Sequence, residues 1–341
     1  MIKQDDREYS FIKKVWTAGS IIAFIVVMLL LLRATFSVLL LILAGCLIAV
    51  YFRGLSDLIQ RKTKWKEGLC LTISILGTLL LVVFLLWLIG AKVQAQIAEL
   101  SDALPKTIEK TKEQLSQSPL GQKIVEKISS AKTQHQVQSL TQTFFKSTFG
   151  VLGDVYVVLF IGIFFTASPK VYKQGFIKIV PPAGKRKAGT ILNDIGNNLK
   201  KWLKGKLFAM LVVFVLTSIG LAIMGMPMWL TLALIAGILN FIPNFGPLIA
   251  LIPAVLVAFL QSPSTALWVA GLYIAVQVTE SNFITPMVQQ KLVSIPPALI
   301  IIAQLLIAPL TGGWGLVLAT PLMVIVLELV KRLYIEKQES S

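Results

Sequence analysis

Apolar runs of near-bilayer length dominate the order of residues along the chain. The first extends from Trp16 to Leu32 and is closed by Arg33, and a second follows from Phe36 to Phe52. Each is about long enough to cross a hydrocarbon core of roughly 30 Å as a helix. Because so few residues separate them, the pattern predicts a tight helical hairpin of two antiparallel spans. A third run covers Leu69 to Gly90, a fourth runs from about Phe149 to Thr166, and Leu207 to Met224 makes a fifth. The charged start MIKQDDREYS is followed by no small-residue cleavage site, so the first run reads as a retained span.

Between the third and fourth runs, residues 91–149 are rich in Gln, Lys, Ser and Thr. Their sparse apolar positions, Val93, Ile97, Leu100, Leu104, Ile108 and Leu115, recur at helical spacing and form one stripe. After a break at Ser118 to Gly121, a weaker stripe follows through Ile124, Ile128, Leu140 and Phe144. The expectation is two amphipathic helices outside the membrane, packed on each other or on a neighbouring subunit.

Beyond Leu207 the spacing changes. The run from Met228 to Leu260 contains Pro243, Gly246, Pro247 and Pro253, and each proline lacks a backbone donor and crowds the preceding turn. A broken helix or re-entrant hairpin is predicted there. A further apolar run from Thr265 ends in the polar group Gln277, Thr279, Glu280, Ser281, Asn282 and Thr285. A short apolar stretch, Ala298 to Ala308, lies between Pro296, Pro297 and Pro309, and a last span follows the glycines at 312, 313 and 315. The sum is about eight crossings plus one hairpin, an all-α polytopic membrane protein.

Composition agrees: 56% of the 341 residues are hydrophobic and 14% charged, against roughly 25% charged in soluble domains. The net charge of +16 falls mainly into two segments. One, between the second and third runs, holds Arg53, Arg61, Lys62, Lys64 and Lys66. The other, residues 169–206, holds ten Lys and Arg with Asp194 as its only acid. Both are expected in the cytoplasm, as are Lys331 and Arg332 and hence both termini. Part of the second segment, ILNDIGNNLKKWLKGK, is patterned as an amphipathic helix whose lysines face anionic headgroups and whose Trp202 anchors at the interface. The basic surplus is therefore a topology signal, and nucleic acid is not an expected partner.

Domain divisions follow at 1–90, 91–149, 150–168, 169–206, 207–333 and 334–341. Cys46 and Cys70 lie in or beside apolar runs and read as small hydrophobes without a disulfide. The single histidine, His135, has no second ligand at metal spacing, so neither a metal site nor another cofactor is expected.

Candidate chemistry comes from the scarcity of charge after Leu207, where only Glu280, Lys291 and Glu328 remain before Lys331. A carboxylate within a membrane segment is costly and points to a functional pathway. The alternative is that Glu280 sits near the interface and pairs with Lys291. Asn240 and Asn244 flank the break at Pro243, Gly246 and Pro247, and freed backbone there suits a polar solute; a kink required only by packing is the alternative. Gln277, Asn282 and Pro286 complete this candidate pathway, with Asp154 in the fourth span as a possible second coupling carboxylate. Glu328 is expected to pair with Lys331 or Arg332 at helical spacing.

The runs LNFIPNFGPLIA (Leu239 to Ala250), ESNFITP (Glu280 to Pro286) and GGWGLVLATPL (Gly312 to Leu322) resemble those of the autoinducer-2 exporter family. So do WLKGK (Trp202 to Lys206) and MGMP (Met224 to Pro227), in the same order. The likeness is strong over residues 190–330 and architectural before that. Lys206 departs from the glutamine that family carries after Gly205, which bears on the role of Trp202, Gly205 and Lys206. The resemblance implies a multi-pass carrier in a bacterial inner membrane that assembles as a homo-oligomer, a ring of five being one form. It also implies that some members export the furanone autoinducer-2 and others exchange sodium for protons.

Three functions are weighed on this basis. The first is a secondary carrier exporting a small polar solute, with Glu280 handling a coupling proton. The second is a sodium/proton antiporter using Glu280 and Asp154. The third is a membrane scaffold that transports nothing. An enzyme is not expected, since acid/base catalysis wants paired carboxylates or histidine in a pocket.

Overall fold

The computed structural model describes residues 2–87, 153–289 and 296–339, and every regular element among them is helical. The amphipathic segment expected over 91–149, His135 and Lys291 lie outside the described residues. The first helix, α1, runs unbroken over Ile2–Thr63, so the expected hairpin between the first two apolar runs is not formed. Arg33, Ala34 and Thr35 include neither Gly nor Pro, and nothing in them obliges the backbone to leave the helix. At 62 residues α1 is roughly 93 Å long, about three times the depth of a bilayer core. It ends where Lys64 takes a left-handed conformation (φ 57°), a common helix stop.

Helix α2, Glu67–Trp87, folds back on α1, where the Ser74 hydroxyl donates to the Phe52 carbonyl at 2.8 Å. Helix α3, Gly153–Ala167, crosses α1 where Gly45 and Gly162 meet the other helix; a Cβ on either would strike Ile161 or Ile48. A bend of 93° at Ser168 leads into α4, Pro169–Ile179, with Pro169 in its first turn. A short turn at Pro182–Gly184 opens α5, Lys185–Ile223. Most of the basic segment is thus helical, and α5 carries the helix through the boundary expected at 206.

The next elements are shorter: α6 over Trp229–Leu239, α7 over Phe245–Gln261 and α8 over Pro263–Thr279. The break separating α6 from α7 is confined to residues 240–244. Pro253, expected to interrupt the chain again, lies inside α7 instead. A single proline removes one hydrogen bond and crowds one carbonyl, which a packed helix absorbs by local adjustment. Ser262 caps α8 by accepting the Thr265 amide at 3.0 Å. After Thr279 the chain makes a π-helical turn over Glu280–Ile284 and resumes as α9, Thr285–Gln289. Helix α10, Pro297–Thr311, turns at Gly312 (φ 66°) into α11, Gly313–Val330.

Four helices among the described residues are long and apolar enough to cross a membrane, and the bent pair α3 and α4 gives a fifth. Two buried clusters organise them. One joins α1, α5, α10 and α11 through Leu40, Leu47, Trp202, Ile300 and Leu318; the other joins α5 to α8 through Leu221, Leu232, Ala254 and Val269. Ala250, Ala254 and Ala258, four residues apart on α7, let the backbones approach closely.

At one end, Arg332 ties α5 to α11. It donates to Asp194 at 2.7 Å, to Glu328 at 3.1 Å and to Glu336 at 3.0 Å. Glu328 is buried and also accepts from Asn198 of α5 at 2.9 Å. It is more than the interfacial partner expected, and Arg332 holds it.

Candidate site: a polar cavity at the helix break

The break begins where α6 ends. Asn240 stands just past its last residue, at the cap, and Asn244, with a positive φ of 67°, leads the chain into α7. Gly246 sits in the first turn of α7 against the end of α6, and a Cβ there would run into the Leu239 carbonyl. Gly246 is therefore required for close backbone approach.

An unpaired carbonyl in such a break costs several kcal/mol in a membrane. The Pro243 carbonyl accepts the Phe245 amide at 2.8 Å, and Gln304, fully buried in the middle of α10, gives it a second donor. Its Nε2 donates to the Pro243 carbonyl at 3.0 Å, and its Oε1 accepts from Asn244 Nδ2 at 3.3 Å. In the sequence Gln304 is marked only as a lone amide within an otherwise apolar run, and it is absent from the residues expected at the site.

Beside the break lies a cavity of about 200 Å³. Helix α5 contributes Trp202, Gly205, Lys206 and Ala209; the break contributes Asn240, Pro243 and Asn244. Opposite them stand Gln277, Glu280, Ser281 and Thr285, closed off by Pro297 and Ile300 of α10 and Thr320 of α11. Segments far apart in the sequence thus converge on one space.

Glu280 is 6% exposed, and its carboxylate is well supplied with donors. Oε1 accepts from the Thr285 hydroxyl at 2.9 Å, and Oε2 accepts from Gln277 at 3.3 Å and Ser281 at 3.5 Å. The π-helical turn explains this set. One extra residue in the turn leaves Thr285, five positions on, within reach of Glu280, and such turns recur at functional sites. Lys206 shares the cavity and makes no hydrogen bond or ion pair among the described residues. Asn240 Nδ2 and the Thr320 hydroxyl are buried and lack partners among those residues.

The cavity gathers Glu280, Gln277, Asn240, Asn244 and Pro243, together with Trp202, Gly205 and Lys206. Trp202 is not an interfacial anchor: it is 7% exposed and packs edge-on against Phe241, ring centres 5.8 Å apart. Asn282, Gly246, Pro247 and Pro286 do not line the space. Asn282 is exposed and donates to the Val278 carbonyl at 2.8 Å. Asp154 is elsewhere, accepting from the Trp314 indole at 2.7 Å.

The AI-2E family transporter profile matches residues 21–335, nearly the whole chain. The chain belongs to the AI-2E transporter family. "Putative transport protein YueF" of Bacillus subtilis is 30% identical over 75% of this chain and 74% of its own length. "Putative transport protein YrrI" of the same organism is 31% identical over 42% of this chain and 40% of its own. "Putative permease PerM" of Escherichia coli is 25% identical over half of each. The aligned stretch thus spans less than half of YrrI and half of PerM. With its apolar helices, this AI-2E family member is a multi-pass membrane protein.

Proposed function

We propose that the protein is a secondary carrier that exports a small polar solute through the cavity at the break, with Glu280 taking up and releasing a coupling proton. The observation that carries this reading is a buried carboxylate lining the same cavity as a partly buried lysine, in a domain otherwise almost without charge. The broken backbone between α6 and α7 supports it, since discontinuous helices build solute sites in transporters. Autoinducer-2 is the solute that the family name suggests. The basic faces of α4 and α5 and the terminal Arg332 support an inner-membrane protein with both termini cytoplasmic. Among the described residues helix α2 buries little of its surface, in keeping with a homo-oligomer such as a ring of five.

The test is flux of a polar-solute panel, autoinducer-2 included, in proteoliposomes with and without a pH gradient. Movement driven by the gradient and lost in Glu280→Gln supports the reading; gradient-driven flux unchanged in that variant removes Glu280 from it. Sodium/proton exchange is the second reading, favoured by the hydroxyls of Ser281 and Thr285 around Glu280. Lys206 in the same cavity opposes a bound cation, and Asp154 lies outside it. A pH change inside vesicles on adding sodium separates the two.

A further inference from the structure

We propose that the cavity binds the carboxylate of a small organic anion, with Lys206 as counter-ion and Asn240 as a second donor. This deepens the carrier reading and rests on the cavity being its solute site.

The argument starts from what the lining groups lack. Among the described residues Glu280 is the only carboxylate in the lining, and both its oxygens are already engaged by Thr285, Gln277 and Ser281. The groups left over are hydrogen-bond donors: the Lys206 ammonium and the Asn240 amide, the latter in a residue 2% exposed. The Thr320 hydroxyl, also buried and unmet, can donate as well. A site whose unmet groups are donors calls for an acceptor, and the Lys206 ammonium, which Glu280 faces without pairing, favours one that is charged.

Size narrows the class: at about 200 Å³ the cavity is below the usual 300–1,000 Å³ of drug-sized sites, so the anion is small. Trp202, Ala209 and Ile300 offer apolar wall for a short carbon skeleton.

The test is equilibrium binding to the full-length protein in detergent, by calorimetry, using lactate and its neutral isostere lactamide as probes. Lactate should bind in preference to lactamide. Lys206→Gln should weaken lactate by roughly tenfold to a hundredfold, the scale of one charge-assisted hydrogen bond, while lactamide changes little. Lys206→Arg should restore most of the affinity, which a loss through misfolding would not allow. Equal binding of the two probes to the unaltered protein, or lactate binding indifferent to Lys206→Gln, overturns the proposal; the latter result marks adsorption on the basic surface. Binding as expected without flux of any solute would sink the carrier reading alone, and flux with indifferent probes would sink only the anion site.

Discussion

Gln304 donates to the carbonyl of Pro243 at 3.0 Å, so a side chain in α10 adds a second bond, beside that from the Phe245 amide, to a break 61 residues earlier in the chain. The same amide accepts from Asn244, and the turn that opens the cavity is thereby fixed from outside itself. Gln304→Leu keeps the bulk and removes both bonds. It should cost about 1–3 kcal/mol, seen as a lowered unfolding midpoint of the purified protein in detergent. An unchanged midpoint would mean that the break is held by α6 and α7 alone.

Glu280→Gln retains shape and places an amide among Thr285, Gln277 and Ser281. Flux driven by a pH gradient should fall to the ungradiented level, while solute exchange at equal pH persists. Asp154→Asn should leave coupling intact, because Asp154 is bonded to Trp314 outside the cavity. Paired transport assays, driven and exchange, distinguish the two variants.

Two helix-breaking residues in α7 should respond oppositely. Gly246→Ala forces a methyl against the Leu239 carbonyl and should abolish folded yield, as judged by gel filtration. Pro253→Ala, inside the helix, should leave that yield unchanged or raised.

Arg332→Met strands Glu328, whose side chain is 4% exposed. The unfolding midpoint should fall, because the buried Glu328 carboxylate keeps only the Asn198 amide as a donor among the described residues. Adding Glu328→Gln should recover much of the fall, since the stranded charge is then gone. Unfolding midpoints of the two single variants and the double variant measure this coupling.

Much of the site is legible in the sequence because charge is so scarce after Leu207. Against that background Glu280 stands out, and Pro243 with Pro247 announces the break between Asn240 and Asn244. What stays hidden depends on tertiary partners. Trp202 in a lysine-rich stretch looks like an interfacial residue until Phe241 is brought beside it. Gln304 has no local feature beyond its polarity, since its role is defined by a carbonyl in the break between α6 and α7. The hairpin expected at Arg33 fails for a simpler reason: charge alone does not end a helix when backbone and side chains permit it to continue.

The π-helical turn at Glu280–Ile284 reverses the usual rule about deletions. Losing one residue from a packed helix ordinarily swings everything downstream through about 100°, ruining its contacts. Here the turn already holds one residue more than an α-helix needs, so removing Phe283 would leave the faces of α8 and α9 aligned as in a regular helix. Thr285 would then stand four positions from Glu280, the spacing at which side chains of a regular helix meet, so the carboxylate would keep this donor. A shortened chain that still folds and inserts would be the expected phenotype of a deletion at this one spot.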